Sequence, residues 1–353
     1  MTEKIVMAFI GFGKSTNRYH LPYIKLRENI TVKRVVTPHL DKRVAEREAW
    51  EATGTTFSTD INTILDDPEI NLVSIVTPAP SHFEFAKQVL NAGKNLVIDK
   101  PMVTSIEEAK ELIALANEKG VMMMPFQNRR FDSDYLALKH VLKAGYVGRP
   151  LELEVHMDHY REDETLHTGA QIDGAYYGHG VHMLDEVVSL LGKPNAATYD
   201  LRATRNPDST IEDQFEVGLL YDNGLKATVQ ATEMAAIAYP KWVLHGTKGS
   251  FIKNNIDQQE YDLKTGIMPG DEGFGVEAPQ DFGKVKYQNQ NGDWIEKIIP
   301  SPVGDYGRVY DAVVATITNG APKLVSDEEM LTVVELMSHG FDAPSPSVFR
   351  YDK

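Results

Sequence analysis

Short β-rich runs separated by polar, helix-periodic segments fill the first third of the chain. Ile5–Ile10 is an apolar run closed by Gly11, and Val32–Val36, Leu72–Val76, Asn95–Ile98 and Val121–Pro125 repeat the theme. Between them Asp41–Ala52, Ser81–Asn91 and Ser105–Lys119 read as helices. Ser105-Ile-Glu-Glu starts the last with an N-cap serine and acids in the first turn, and Gly120 stops it. Ser81 is a second candidate cap. Strand and helix alternating in this rhythm predict a parallel sheet with crossover helices.

The pattern changes after about residue 126. Leu151–Tyr160 alternates as a strand with one wet face does. Further β-rich runs follow at Ala197–Thr204, Gln214–Tyr221, Lys226–Thr232 and Trp242–Gly246, with Asp222-Asn-Gly as a turn signal. Strands in succession predict an antiparallel sheet, and Tyr306–Asn319 and Asp327–His339 read as closing helices. The expectation is an α/β Rossmann domain with a parallel sheet over 1–125, then an α+β domain over 126–353. The latter would carry a large, mostly antiparallel, open-faced sheet for substrate binding and oligomerisation.

Composition narrows the function. At 353 residues two cores are expected, and 42% apolar with 25% charged residues is ordinary for globular chains. The chain has no cysteine, which excludes disulfides, thiolate metal sites and a cysteine nucleophile. A formal charge of −15 argues against a nucleic-acid partner. No stretch approaches the roughly 20 apolar residues that span a bilayer, and the N-terminal run is too short for a signal sequence. The expected setting is cytoplasmic, with no membrane partner.

Gly11-Phe12-Gly13-Lys14-Ser15-Thr16 follows the first strand and opens a helix, the arrangement that cradles a dinucleotide pyrophosphate. Thr16 stands where the fingerprint has its third glycine. The next strand ends in Thr37-Pro-His39 with no adjacent acid, so Thr37 and His39 are candidates for a 2′-phosphate, with Arg34, Lys42 and Arg43 nearby. NADP is therefore expected over NAD; Asp41 as a ribose ligand is the alternative. Thr77, Pro78 and His82 end the following strand, and Asp99-Lys100-Pro101 the one after, at the carboxyl edge where such sheets bind ligands. Pro101 is a candidate for a cis bond that would fix the lysine's approach. In the second half, His179, His182 and Asp185 share a short helical segment, with His182 and Asp185 on one face. The spacing does not support a metal site, and none is expected.

These motifs, with Asn128-Arg-Arg-Phe131 and His245-Gly-Thr-Lys-Gly-Ser250, resemble the glucose–fructose oxidoreductase / inositol dehydrogenase / MocA (Gfo/Idh/MocA) family over nearly the whole chain. Gly13–Pro22 and Gln127–Asp132 are similar to its YhhX-like branch. The resemblance implies hydride transfer between a nicotinamide and a sugar, cyclitol or related polyol, with Lys100 and His182 flanking the substrate carbon. The family's aspartate four residues before that histidine falls on Gly178, for which Asp173, Tyr177 or His179 are possible replacements. Asp99 stands for the usual glutamate and can still meet the nicotinamide ribose.

The expected roles are Lys100 as general acid/base and His182, oriented by Asp185, as polarising group. Tyr160, Arg161, Tyr177, His179, Asp185 and Tyr306 are expected substrate contacts. Two alternatives stand beside the dehydrogenase: an NAD-dependent glycosidase of the same fold and a non-catalytic NADP-binding sensor. The sheet's open face predicts a homodimer or dimer of dimers.

Overall fold

Residues 4–161, 170–206 and 208–346 are described by the computed structural model. They form two compact units. The first gathers the chain through Asn128 with Thr265–Phe274 and Asp305–Val334; the second holds Arg129–Lys264, Gly275–Gly304 and the chain from Glu335.

Six parallel strands build the first unit: β1 (Ile5–Ile10), β2 (Ile30–Val36), β3 (Thr56–Ser58), β4 (Leu72–Ile75), β5 (Asn95–Ile98) and β6 (Met123–Pro125). Their order is β3-β2-β1-β4-β5-β6. The direction of winding reverses between β1 and β4, and at such a switch point the carboxyl ends splay into a crevice. The central strands carry almost no polar side chains because sheets of this kind are covered on both faces; all four residues of β4 are buried. Sequence pattern missed β3, whose three residues are too few for periodicity. Pairing Val35 with Phe57 is what makes it a strand.

Local signals set most helix ends. Ser105 accepts the Glu108 amide, and Gly120 closes Ile106–Lys119 in the left-handed region at φ 66°. Ser81 does not cap by its side chain. Its hydroxyl donates to the Pro78 carbonyl, within a 3₁₀ turn that leads into helix His82–Asn91. The helix expected over Asp41–Ala52 covers Val44–Glu51 and buries no residue. Helix Arg308–Asn319 buries Val309, Tyr310 and Val313 in the first unit.

The second unit carries eight strands: β7 (Pro150–His156), β8 (Ala196–Arg202), β9 (Gln214–Leu220), β10 (Lys226–Thr232), β11 (Trp242–Gly246), β12 (Gly249–Lys253), β13 (Gly283–Gln288) and β14 (Trp294–Ile299). The order is β14-β13-β12-β11-β7-β10-β9-β8. All pairs are antiparallel except β7 with β10, which run parallel. The turn at Asp222-Asn-Gly joins β9 to β10, with Gly224 at φ 80°. Leu153, Leu244, Phe251 and Val285 align across the sheet and are all buried. The row one residue along, Glu154, Val243, Ile252 and Lys284, points to the opposite face.

Candidate active site

The glycine turn is sterically determined. Gly11 sits at φ 106°, and a Cβ there would lie 2.3 Å from the Val76 carbonyl oxygen. Only glycine suits a turn pressed this close to the neighbouring strand end. At Gly13 no atom lies within 4 Å of the Cβ position, so the backbone faces open space. Gly13 and Lys14 are exposed, at the start of a helix that is π-wound over Thr16–His20 and continues as Leu21–Ile24. This is a cradle whose free amides and open approach suit a pyrophosphate.

Other residues of the turn hold it in place. Phe12 is buried and packs edge-on to Phe57, with ring centroids 5.0 Å apart. Thr16 is fully buried and donates to the Gly11 carbonyl at 3.1 Å. It therefore locks the turn from behind. Ser15 donates to Asp99 Oδ2 at 2.7 Å and ties the glycine turn to the end of β5.

At the end of β2, Thr37 is buried and its hydroxyl oxygen accepts the His39 amide at 3.3 Å, while His39 is exposed. Arg43 pairs with Glu46, and Lys33 with Asp67 and Glu69. Arg34 lies 3.9 Å from Asp67. Lys42 and Asp41 are exposed.

Thr77 shares a hydrogen bond with the Ser81 hydroxyl at 2.7 Å, and Pro78 is exposed. His82 is buried. Its Nε2 lies 2.8 Å from the Thr77 carbonyl oxygen, and its Nδ1 2.9 Å from that of Pro101. The ring thus staples the two strand-end loops together. The Lys100–Pro101 bond is cis.

Asp99 Oδ1 accepts the Lys100 amide at 2.8 Å. Burial opposes ionisation of Asp99, but the His20 ring, the Ser15 hydroxyl and Lys100 hold its carboxyl at about 2. Tyr306, expected as a substrate contact, is fully buried in an aromatic cluster, 5.4 Å from the Tyr23 ring and 6.3 Å from Tyr19.

In the second unit, a π-helical stretch over Tyr176–Gly180 leads into helix Val181–Leu191, whose first turn carries His182, buried. Arg130 donates to both oxygens of Asp185, at 2.8 Å each. Tyr177 is buried and stacks on Phe341 at 5.4 Å. Asp173 closes its own turn by accepting the Ala170 amide. Of the residues considered as replacements at Gly178, this leaves His179 in polar surroundings. Its Nε2 lies 3.4 Å from Glu233, which also pairs with Arg161 at 2.9 Å. Tyr160 is 54% exposed.

Sequence reasoning missed His159, which stacks on His179 with ring centroids 5.0 Å apart. Burial, His179 and Arg161 push it down to about 4, so it offers a neutral ring at neutral pH. His159 also lines a pocket of about 380 Å³ with His156, Tyr239, Lys241 and Asn254. Its only sequence signal was adjacency to Tyr160.

A buried carboxylate group was likewise not legible. Asp132, Asp134 and Glu186 each bring an oxygen within 4.8 Å of the others. Trp242 donates to Asp134 at 2.7 Å, Lys241 lies 3.4 Å from Glu186, and Arg129 pairs with Asp132 at 2.9 Å.

A doubly wound parallel sheet with a glycine turn at its switch point defines a dinucleotide-binding oxidoreductase architecture. Residues 5–127 match the Gfo/Idh/MocA oxidoreductase family, NAD-binding Rossmann fold, and residues 139–347 its C-terminal alpha/beta domain. The chain belongs to this family. It is 45% identical to the uncharacterized oxidoreductase YhhX of Escherichia coli, over 96% of this chain and 97% of that protein. With the scyllo-inositol 2-dehydrogenase (NADP(+)) IolW of Bacillus subtilis it shares 28% identity, over 97% and 94% of the two chains. The crystal structure of an oxidoreductase from Bacillus cereus superposes with a TM-score of 0.94 at 48% identity, covering 99% of both chains. Among the described residues no helix is long and apolar enough to cross a membrane.

Proposed function

We propose that this oxidoreductase interconverts a carbinol and a carbonyl on a sugar, cyclitol or related polyol, with NADP(H) preferred over NAD(H). The observation that carries the reading is the Ser15–Asp99 hydrogen bond, which joins the glycine turn to the strand end bearing Lys100. A cofactor seated on Gly11, Gly13 and Lys14 is thereby brought to the loop that carries a proton-transfer group.

When bound, the nicotinamide supplies or receives the hydride. The chain does the rest. Lys100, its amide fixed by Asp99, takes the hydroxyl proton in oxidation and returns it in reduction. The part proposed for His182 is to polarise a substrate oxygen. His159, His179 and Arg161 offer ring nitrogens and a guanidinium to the remaining hydroxyls, in keeping with recognition of a polyhydroxylated ring. Thr77 and Pro78 line the cofactor's path at the end of β4.

Preference for NADP(H) rests on the absence of an acid at the end of β2 and on exposed His39 and Lys42 there. The name of IolW carries the same cofactor. Asp41 is the residue that would favour NAD. A panel of polyols and their ketones, followed by nicotinamide absorbance with each cofactor, tests the reading. Turnover with NADP(H) supports it; tighter NADH binding overturns the preference, and cofactor binding without turnover of any polyol overturns the dehydrogenase.

A further inference from the structure

Beside Asp99, facing the same carboxylate oxygen as Ser15, lies a fully buried histidine that the proposed chemistry does not use. His20 sits at the end of the π-wound stretch, a winding that recurs at functional sites. Its ring stacks on Phe126 with centroids 3.9 Å apart. Nδ1 lies 2.6 Å from the Tyr310 hydroxyl, and Nε2 lies 3.8 Å from Asp99 Oδ2. A polar ring in so apolar a setting is costly unless its nitrogens have work.

Tyr310 is itself held firmly. Arg27 donates to Asp305 and Asp311 at 2.8 Å each, and a Cβ on Gly307 would lie 2.1 Å from the Arg27 guanidinium. The start of helix Arg308–Asn319 is therefore clamped onto the first unit, and the Tyr310 hydroxyl is brought to His20. Ser74, on β4, lies 3.5 Å from the same hydroxyl.

The proton positions follow. Burial pushes the Tyr310 hydroxyl up, so it stays protonated; because the Asp99 carboxylate, which can only accept, faces Nε2, we assign Tyr310 as the donor to Nδ1. The proton of the imidazole then resides on Nε2, the nitrogen that faces the ionised carboxylate of Asp99. A histidine's tautomer is set in this way by the hydrogen bond its other nitrogen makes.

We propose that His20 and Tyr310 are positioning residues for the Asp99–Lys100 strand end: Tyr310 fixes the His20 tautomer, and His20 aims the carboxylate that holds Ser15 and the Lys100 amide. Its catalytic part rests on the reading of Lys100 as acid/base; its geometric part does not. Neither residue touches substrate. Both act by keeping Lys100 at one height and angle beside the glycine turn, where a small misplacement costs rate steeply.

The test has two arms on the full chain. In the first, without substrate, nitrogen-15 NMR of the histidine rings should report His20 as the Nε2–H tautomer, and Tyr310→Phe should abolish that preference. Carboxyl carbon-13 titration should move Asp99 upward from about 2 in His20→Leu. An Nδ1–H ring, or an Asp99 titration unmoved in His20→Leu, overturns the proposal.

In the second arm, on the polyol turned over fastest, His20→Leu should lower kcat by about 10- to 100-fold while NADPH affinity stays within about threefold. His20→Gln, whose amide still bridges a hydroxyl and a carboxylate, should recover much of the loss. Equal kcat in His20→Leu and the parent overturns the positioning role. If Lys100→Met turns over normally while the first arm holds, the acid/base reading fails and the buried geometry stands.

Discussion

Arg130 grips Asp185 through two parallel hydrogen bonds, Nε to Oδ2 and Nη2 to Oδ1, each 2.8 Å long, with both side chains buried. The fork geometry of guanidinium and carboxylate makes this the strongest kind of charged pair, and burial makes it costly to break. Truncating one member takes both of these hydrogen bonds from the other, which stays charged and buried. Asp185→Ala should lower the unfolding free energy by about 3–5 kcal/mol. Arg130→Met combined with Asp185→Leu should cost clearly less than the two single changes together. Urea unfolding of the parent, Asp185→Ala, the singles Arg130→Met and Asp185→Leu, and their double measures this; additive losses in the double would contradict the coupling.

Lys100→Met should reduce hydride transfer by about 10²- to 10⁴-fold, the range of a lost acid/base group. Because the proposed cofactor cradle is Gly11, Gly13 and the helix start, NADP(H) affinity should stay within a few-fold. His182→Ala, which removes the proposed polarising group, should lose less, about 10- to 10³-fold. Single-turnover kinetics with fluorescence titration of NADPH separates the two effects. A greater loss for His182→Ala would exchange the roles.

Gly178 has room for a side chain: apart from its two chain neighbours and its own helix backbone, no atom lies within 4 Å of where its Cβ would lie. Tyr177 is turned into the Phe341 stack and Asp173 into its own turn, so neither fills that space. Gly178→Asp should therefore fold with a midpoint close to the parent's and raise turnover of cyclitols. Comparing kcat/KM of the two proteins on scyllo-inositol and myo-inositol decides the matter. A fall would show that His179, with its Glu233 partner, already occupies the carboxylate's role.

Stability should depend on pH through the buried carboxylates. Burial pushes Glu186 up to about 8 against the pull of Lys241, with Asp134 and Asp132 adding to the rise. Asp132 is pushed up to about 7 by burial, opposed by Arg129. An acid whose folded value lies above its unfolded one keeps its proton more tightly in the native state. Its contribution is complete below about pH 4 and is lost as pH rises through these folded values. Melting temperature should thus fall from about pH 5 to about pH 8.5. Glu186→Gln, which is neutral throughout, should flatten the fall; because it also removes the charge partner of the buried Lys241, the slope with pH and not the absolute stability is the readout. A glutamine variant with the parent's slope would remove Glu186 from the account.

The open face of the eight-stranded sheet should form a homodimer contact. Ile298 and Ile252 share a cross-sheet row with Val243, Lys284 and Glu154, and are 53% and 41% exposed. Exposed isoleucines on a flat sheet face favour self-association about a twofold axis. Light scattering at micromolar concentration should give at least twice the chain mass, and Ile252→Lys with Ile298→Lys should halve it. A monomeric parent would refute the contact.

Several features of the fold and site were legible because they depend on neighbours along the chain. The apolar runs of β1, β4 and β5, the glycine turn, the Ser105 and Gly120 helix ends and the Asp222-Asn-Gly turn all rest on contacts within a few residues. Strand-end placement of Lys100 follows from the same local reading. What periodicity could not supply was which polar residues go inward. Thr16, His82 and Tyr306 are all buried: Thr16 donates to the Gly11 carbonyl, His82 lies between the Thr77 and Pro101 carbonyls, and Tyr306 packs on Tyr23, contacts that no local pattern foretold.

By itself, then, the sequence determined the strand–helix rhythm of the first unit, the strand succession of the second and the position of the cofactor turn, since backbone conformation and hydrophobic period are properties of short segments. Only the tertiary structure decided the parallel pairing of β7 with β10, the pairing that makes β3 a strand, and the commitment of Asp185 to Arg130. It also brought Tyr310 to His20 across 290 residues of chain, 2.6 Å apart beside Asp99. The physical reason is that a hydrogen bond between distant residues leaves no period in the sequence; it exists only once the packing of the whole unit has removed both groups from water and left each the other as partner.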